Sequence, residues 1–186
     1  MSLVFFAIAA FSIFRCGSAT SNYPEMNPEL GKYQDASAVF PLSETWYAAY
    51  RNYENDPAFG TSKCLRFSET ESEEDGGYPV VAQYGQETKS LDGRITLESS
   101  EGYNTKNLIV LHPEGQDQSL TLFVSYLDPG KCGINRNLYV DENACTVFVP
   151  ESQLGKNTTC CDFVYDLLCG TTKHQIYDSS CDKQDK

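Results

Sequence analysis

His112 and His174 are the only imidazoles in this chain of 186 residues, and neither stands at a spacing that chemistry requires. No nucleophile elbow, HExxH helix, phosphate-binding glycine loop or spaced carboxylate pair occurs. Asp162 and Asp166 lie one turn apart in an expected helix and read as its solvated face. Catalysis is therefore not expected, because no base or acid is set against a nucleophile. The cysteines, eight in all, form the one strong pattern. Zinc would need CxxC pairs or histidine at ligand spacing, and both are missing, so disulfide chemistry is the expectation and neither metal nor cofactor is.

That chemistry needs an oxidising compartment, and the N-terminus suggests one. Leu3 to Phe14 is an apolar run followed by Arg15, Cys16, Gly17, Ser18 and Ala19, the pattern of a secretory signal cleaved near Ala19 or Thr20. The run is too short to span a bilayer. The expected organisation is a signal peptide over residues 1–20 and a single domain over 21–186, secreted and without a membrane span. Cleavage removes Cys16 and leaves Cys64, Cys132, Cys145, Cys160, Cys161, Cys169 and Cys181, an odd set with one thiol over. Spacing alone does not choose the connectivity. Asn157-Thr158-Thr159 is a glycosylation sequon, expected on a surface loop. Fourteen Lys and Arg against 26 Asp and Glu give a net charge of −12, which repels nucleic acid and anionic lipid.

The elements that must position these residues are mostly strands. Residues 21–43 read as a polar, proline-bearing lead-in with a short helix over Gly31 to Phe40. Strands are predicted over Thr45–Tyr53, Lys63–Thr70, Tyr78–Tyr84, Arg94–Glu98, Asn107–His112, Ser119–Leu127, Gly133–Val140 and Ala144–Pro150, separated by turns that include Gly76-Gly77, Asp92-Gly93 and Asp128-Pro129-Gly130. The period then changes. Cys160, Phe163, Val164, Leu167 and Leu168 share one helical stripe, with Thr158 or Thr159 as N-cap and Gly170 as the stop. About eight short strands and one late helix fit a closed barrel with the helix packed outside, or a sandwich.

Several short elements resemble the tick salivary lipocalins that include the histamine-binding proteins. Gln34-Asp35-Ala36 is similar to that family's QDA element, and Tyr53-Glu54-Asn55-Asp56-Pro57-Ala58-Phe59-Gly60, with Cys64 after it, to its Y-x-N-D-P-x-W-G…C signature. Ala144 to Val149 resembles its C-E-L-W-V strand, and Cys160-Cys161 and Tyr177 to Cys181 its closing pattern. The resemblance implies an eight-stranded antiparallel lipocalin barrel with a short N-terminal helix and a C-terminal helix outside. It also implies bridges Cys64 to Cys181 and Cys132 to Cys161. Cys145 with Cys169 is inferred as a third, leaving Cys160 spare, with exchange of Cys160 and Cys161 open.

The resemblance further implies a secreted protein of tick saliva that binds a small host mediator and so modulates host inflammation or immunity. A buried amine needs carboxylates and aromatic faces. Tyr53, Asp56 and Phe59 match the family's site by motif, with Phe59 in place of tryptophan. Thr146 stands where the family has glutamate, Phe148 where it has tryptophan, and Gly133 where histamine binders carry aspartate. With two acids missing, an apolar lipid or sterol is the other expected guest, lined by Tyr47, Phe67, Val81, Ile109, Leu122, Val124 and Phe148. The alternative is an immunomodulator that binds host proteins or immune cells through loops such as Glu69 to Gly77 and Glu151 to Asn157.

Overall fold

The computed structural model describes residues 23–73 and 75–181; the apolar run, the cleavage point and Cys16 lie outside them. Strands β1 (Trp46–Arg51), β2 (Arg66–Glu69), β3 (Tyr78–Tyr84), β4 (Lys89–Glu98), β5 (Leu108–Pro113), β6 (Leu120–Asp128), β7 (Cys132–Asn137) and β8 (Cys145–Pro150) follow one another as an antiparallel meander. Strand β1 pairs with β8 on one side and with β2 on the other, which closes an eight-stranded barrel. A two-residue strand β9 (His174–Gln175) adds outside, against Tyr50 and Arg51. This is the barrel rather than the sandwich.

Alternation decides what faces inward. Trp46, Ala48, Phe67, Val80, Ala82, Leu111, Val124 and Phe148 belong to the interior cluster, while Tyr47, Tyr50, Ile134, Val147 and Val149 form a second cluster outside. That outer cluster is covered by helix α1 (Thr159–Cys169), through Cys161 and Tyr165. All six residues of β7 and all six of β8 are therefore buried, since both faces of these strands are covered.

The apolar stripe expected on α1 is not the face it buries. Phe163 and Leu167 are 63% and 68% exposed, whereas Cys161 and Tyr165 pack inward. The bridges set that rotation: Cys132 joins Cys161 and Cys145 joins Cys169, with Cα atoms 6.5 and 6.0 Å apart. Cys64 joins Cys181, Cα to Cα 5.3 Å, and Cys160 is unpaired and exposed.

One expected turn is corrected. Asp92-Gly93 is no turn but lies within β4, paired with Val81 and Val80 on one side, and Gly93 faces Pro113 on the other. A Cβ on Gly93 would come within 2.7 Å of the His112 carbonyl oxygen, so glycine here serves close approach of two backbones. The short N-terminal helix expected over Gly31 to Phe40 is present, as two 3-10 turns, Pro28–Tyr33 and Ala36–Ala38. The Asp35 carboxylate accepts from Ser37 N and caps the second turn, while Gln34 Nε2 donates to the carbonyls of Glu25 and Ser125, so the chain breaks between them. The lead-in is tied to the barrel by Glu25, whose carboxylate pairs with Arg136, each side chain 1% exposed. From there it crosses one end of the barrel, where Ala36, Val39, Phe40 and Leu42 close the interior.

Candidate ligand cavity

The barrel encloses a cavity of about 90 Å³, counted as space for the centre of a water molecule. Its wall is apolar. Trp46, Phe59, Phe67, Ile95, Ile109, Leu111, Leu120, Leu122, Val124, Leu127 and Phe148 supply most of it, and no Lys, Arg, His, Asp or Glu is among the lining residues. Polar groups come from Tyr53, Asn135, Asn137, Tyr139 and Thr146.

Of the residues singled out in the sequence, Tyr53, Phe59, Thr146 and Phe148 line the cavity, as do Phe67, Ile109, Leu122 and Val124. Tyr47 and Val81 do not. Tyr47 is on the outer face, ring to ring with Tyr177 at 5.4 Å, and the inward positions of β3 are Val80 and Ala82.

Asp56 is 2% exposed and does not line the cavity either. Its Oδ1 accepts from Ala58 N at 2.9 Å and Phe59 N at 3.1 Å, which is the local turn that an Asn-Asp-Pro sequence favours. Its Oδ2 accepts from Tyr139 Oη at 2.8 Å and Tyr53 Oη at 3.0 Å, with Arg51 Nη1 3.4 Å away. Arg51 in turn donates to the carbonyls of Tyr53, Glu54 and Gly60, so residues 53–60 are wound round its guanidinium. The acid is thus neutralised behind the tyrosines that face the cavity. Chemically, this leaves a neutral polar end on an apolar chamber.

Asn135, Asn137, Tyr139 and Arg51 escape a motif-based reading. The signal for two of them was strand parity: in Cys-Gly-Ile-Asn-Arg-Asn, Cys132, Ile134 and Arg136 face outward, so Gly133, Asn135 and Asn137 face inward. Polar side chains at inward positions need a partner or a ligand.

Tyr53 is pushed up to about 12, chiefly by burial and then by the Asp56 charge. Burial raises Tyr50, Tyr139 and Tyr165 as well, with Asp162 adding at Tyr50. These phenols keep their protons where unfolded tyrosine, near 10.0, would lose them. Their contribution to stability is therefore fully present below about pH 10 and is lost as pH rises towards about 12. Tyrosinate absorbance and near-ultraviolet dichroism, followed together, should show these phenols ionising only as the barrel unfolds. Ionisation of all 12 tyrosines in an intact fold would contradict this.

A second crevice, of about 290 Å³, lies outside the barrel between α1, Tyr50 and Tyr177. It is already served from within the chain: Lys173 Nζ sits 3.0 Å from Asp166 and 3.6 Å from Asp162, over the rings of Tyr50 and Tyr165. Among the described residues no cluster of three or more His, Cys, Asp or Glu is arranged to hold a metal ion, and no helix is long and apolar enough to cross a membrane.

A closed eight-stranded antiparallel barrel, plugged by an N-terminal 3-10 turn and flanked by a C-terminal helix, is a lipocalin fold. The family model of the tick histamine-binding proteins matches residues 24–183, and the chain belongs to that family. It is a family of ligand-binding lipocalins, not of enzymes. Among solved structures, AM182 in complex with serotonin superposes with a TM-score of 0.59 at 20% identity, covering 78% of this chain and 89% of that one. Japanin from Rhipicephalus appendiculatus, bound to cholesterol, gives a TM-score of 0.53 at 10% identity, covering 75% and 95%. No curated protein sequence matches significantly.

Proposed function

We propose that this chain is a secreted lipocalin of tick saliva that sequesters a small, uncharged and largely apolar molecule, and so removes a host mediator or lipid that drives inflammation or immunity. The observation that carries this is the lining: every side chain that faces the cavity is neutral, and the Asp56 carboxylate behind its tyrosines is bound by Arg51. An ammonium taken from water into such a chamber loses hydration worth several kcal/mol with no counter-charge to replace it. An apolar guest has no such cost and gains about 25 cal/mol for each square ångström buried. Similarity to a cholesterol-bound barrel supports a sterol-like guest, and similarity to a serotonin-bound one keeps a biogenic amine as the competing ligand.

Three disulfides fit an extracellular protein, and we assign the glycan to Asn157, which is exposed before α1 with its Oδ1 accepting from Thr159 N at 2.8 Å. Native mass spectrometry of protein secreted from insect cells tests the reading. The expected result is one neutral lipid per chain, released on unfolding, beside a glycan mass. A ligand-free barrel that captures a host protein instead would favour binding through the outer loops.

A further inference from the structure

We propose that the cavity selects a hydroxyl: its guest is an otherwise apolar alcohol, and Asn137 is the residue that makes the selection. This deepens the ligand-holding reading above and rests on it.

Tyr53 and Tyr139 have one phenol proton each, and both go to Asp56 Oδ2, at 3.0 and 2.8 Å. Tyr53 Oη can then only accept: from Asn137 Nδ2, turned toward it at 2.6 Å, and from the Thr146 hydroxyl at 3.1 Å. The second hydrogen of that amide goes to Thr146 Oγ1 at 2.7 Å. What is left is Asn137 Oδ1, buried and without a hydrogen-bond partner, the only such side-chain atom among the described residues that line the cavity.

A buried acceptor lacking a donor is unfavourable. A ligand hydroxyl satisfies it; a ketone or ester oxygen sets lone pair against lone pair. A carboxylate does the same and loses its hydration with no counter-charge in the lining. An ammonium supplies the donor but brings a charge that the neutral lining does not offset. Asp56 therefore acts at one remove, as a positioning residue: by claiming the tyrosine protons it fixes which way the Asn137 amide faces.

The test uses four probes of one chain length, decanol, decanone, decanoate and decylammonium, titrated into the intact protein while following Trp46, the single tryptophan and a lining residue. Decanol is expected to bind about tenfold more tightly than decanone, the penalty expected for leaving a built polar site unpaired. In Asn137→Leu, of similar volume, that ratio should fall to about one while decanone binding persists. In Asp56→Asn the new amide donates to Tyr53, whose proton turns to Asn137; the amide flips and decanone should become the preferred probe. Should that variant fail to fold, Asn137→Leu alone decides. Equal affinities in the wild type, tighter decanone or decanoate, or an alcohol preference that survives Asn137→Leu would overturn the selection while leaving the ligand-holding role standing. Failure of all four probes to bind would overturn both.

Discussion

Replacing Cys64 and Cys181 together with serine is expected to lower folding stability by about 5 kcal/mol, the chain-entropy value for a loop of this size. The two residues are 117 apart in sequence, against 29 and 24 for the other bridges, whose removal should cost about 3.5 kcal/mol each on the same scale. Against a usual total of about 5 to 15 kcal/mol, the first loss is between about a third and the whole. The structure shows what the bridge reinforces. Cys64 N donates to the Ile176 carbonyl at 2.9 Å, and Ile176 and Tyr177 N bond back to Ala49, so the bridge holds the C-terminal segment across β1 at the barrel seam. Urea unfolding under oxidising conditions checks the order. A smaller shift for the Cys64 and Cys181 variant than for either shorter loop would contradict it. Cys160→Ser is the control, since its thiol is unpaired and exposed.

The largest change in binding is expected from returning charge to the cavity. Gly133→Asp with Thr146→Glu should raise histamine affinity about 100-fold, because a desolvated ammonium then meets carboxylates and a gain near 2.8 kcal/mol is modest for such pairs. The geometry admits both. A Cβ on Gly133 would meet Leu127 Cδ1 at 3.5 Å and the Trp46 ring at 3.8 Å, which is ordinary contact, and Thr146 lies inward beside Tyr53 and Asn137. The ligand-free variant should be less stable than the wild type, since buried carboxylates without partners are costly. Its melting temperature should accordingly rise with histamine concentration. An affinity unchanged by two added acids would show that charge does not limit amine binding here.

Most of the barrel was legible because its strands carry period-two patterns between turn residues, from Tyr78 to Tyr84 through Ala144 to Pro150. Where the pattern misled, tertiary packing had the stronger claim. Gly93 beside Asp92 looks like a turn, yet it relieves a contact with the β5 backbone that the chain alone does not announce. Phe163 and Leu167 look like the buried stripe of α1, but Cys161 and Cys169 turn the helix the other way. At the site, the aromatic wall was readable from motif and parity. The fate of Asp56 was not: its neutralisation depends on Arg51, five residues before it, and on Tyr139, 83 residues away. Strand parity points Asn137 inward, but its unpaired oxygen was hidden for the same reason, since it depends on where its neighbours' protons go.

The neutral lining can be tested at once by calorimetric titration of the wild-type protein with histamine, serotonin and cholesterol. Saturable one-to-one binding of cholesterol with a negative heat-capacity change is expected, with neither amine binding more tightly than micromolar. Nanomolar histamine binding to the unaltered barrel would contradict the claim that this cavity holds an uncharged guest.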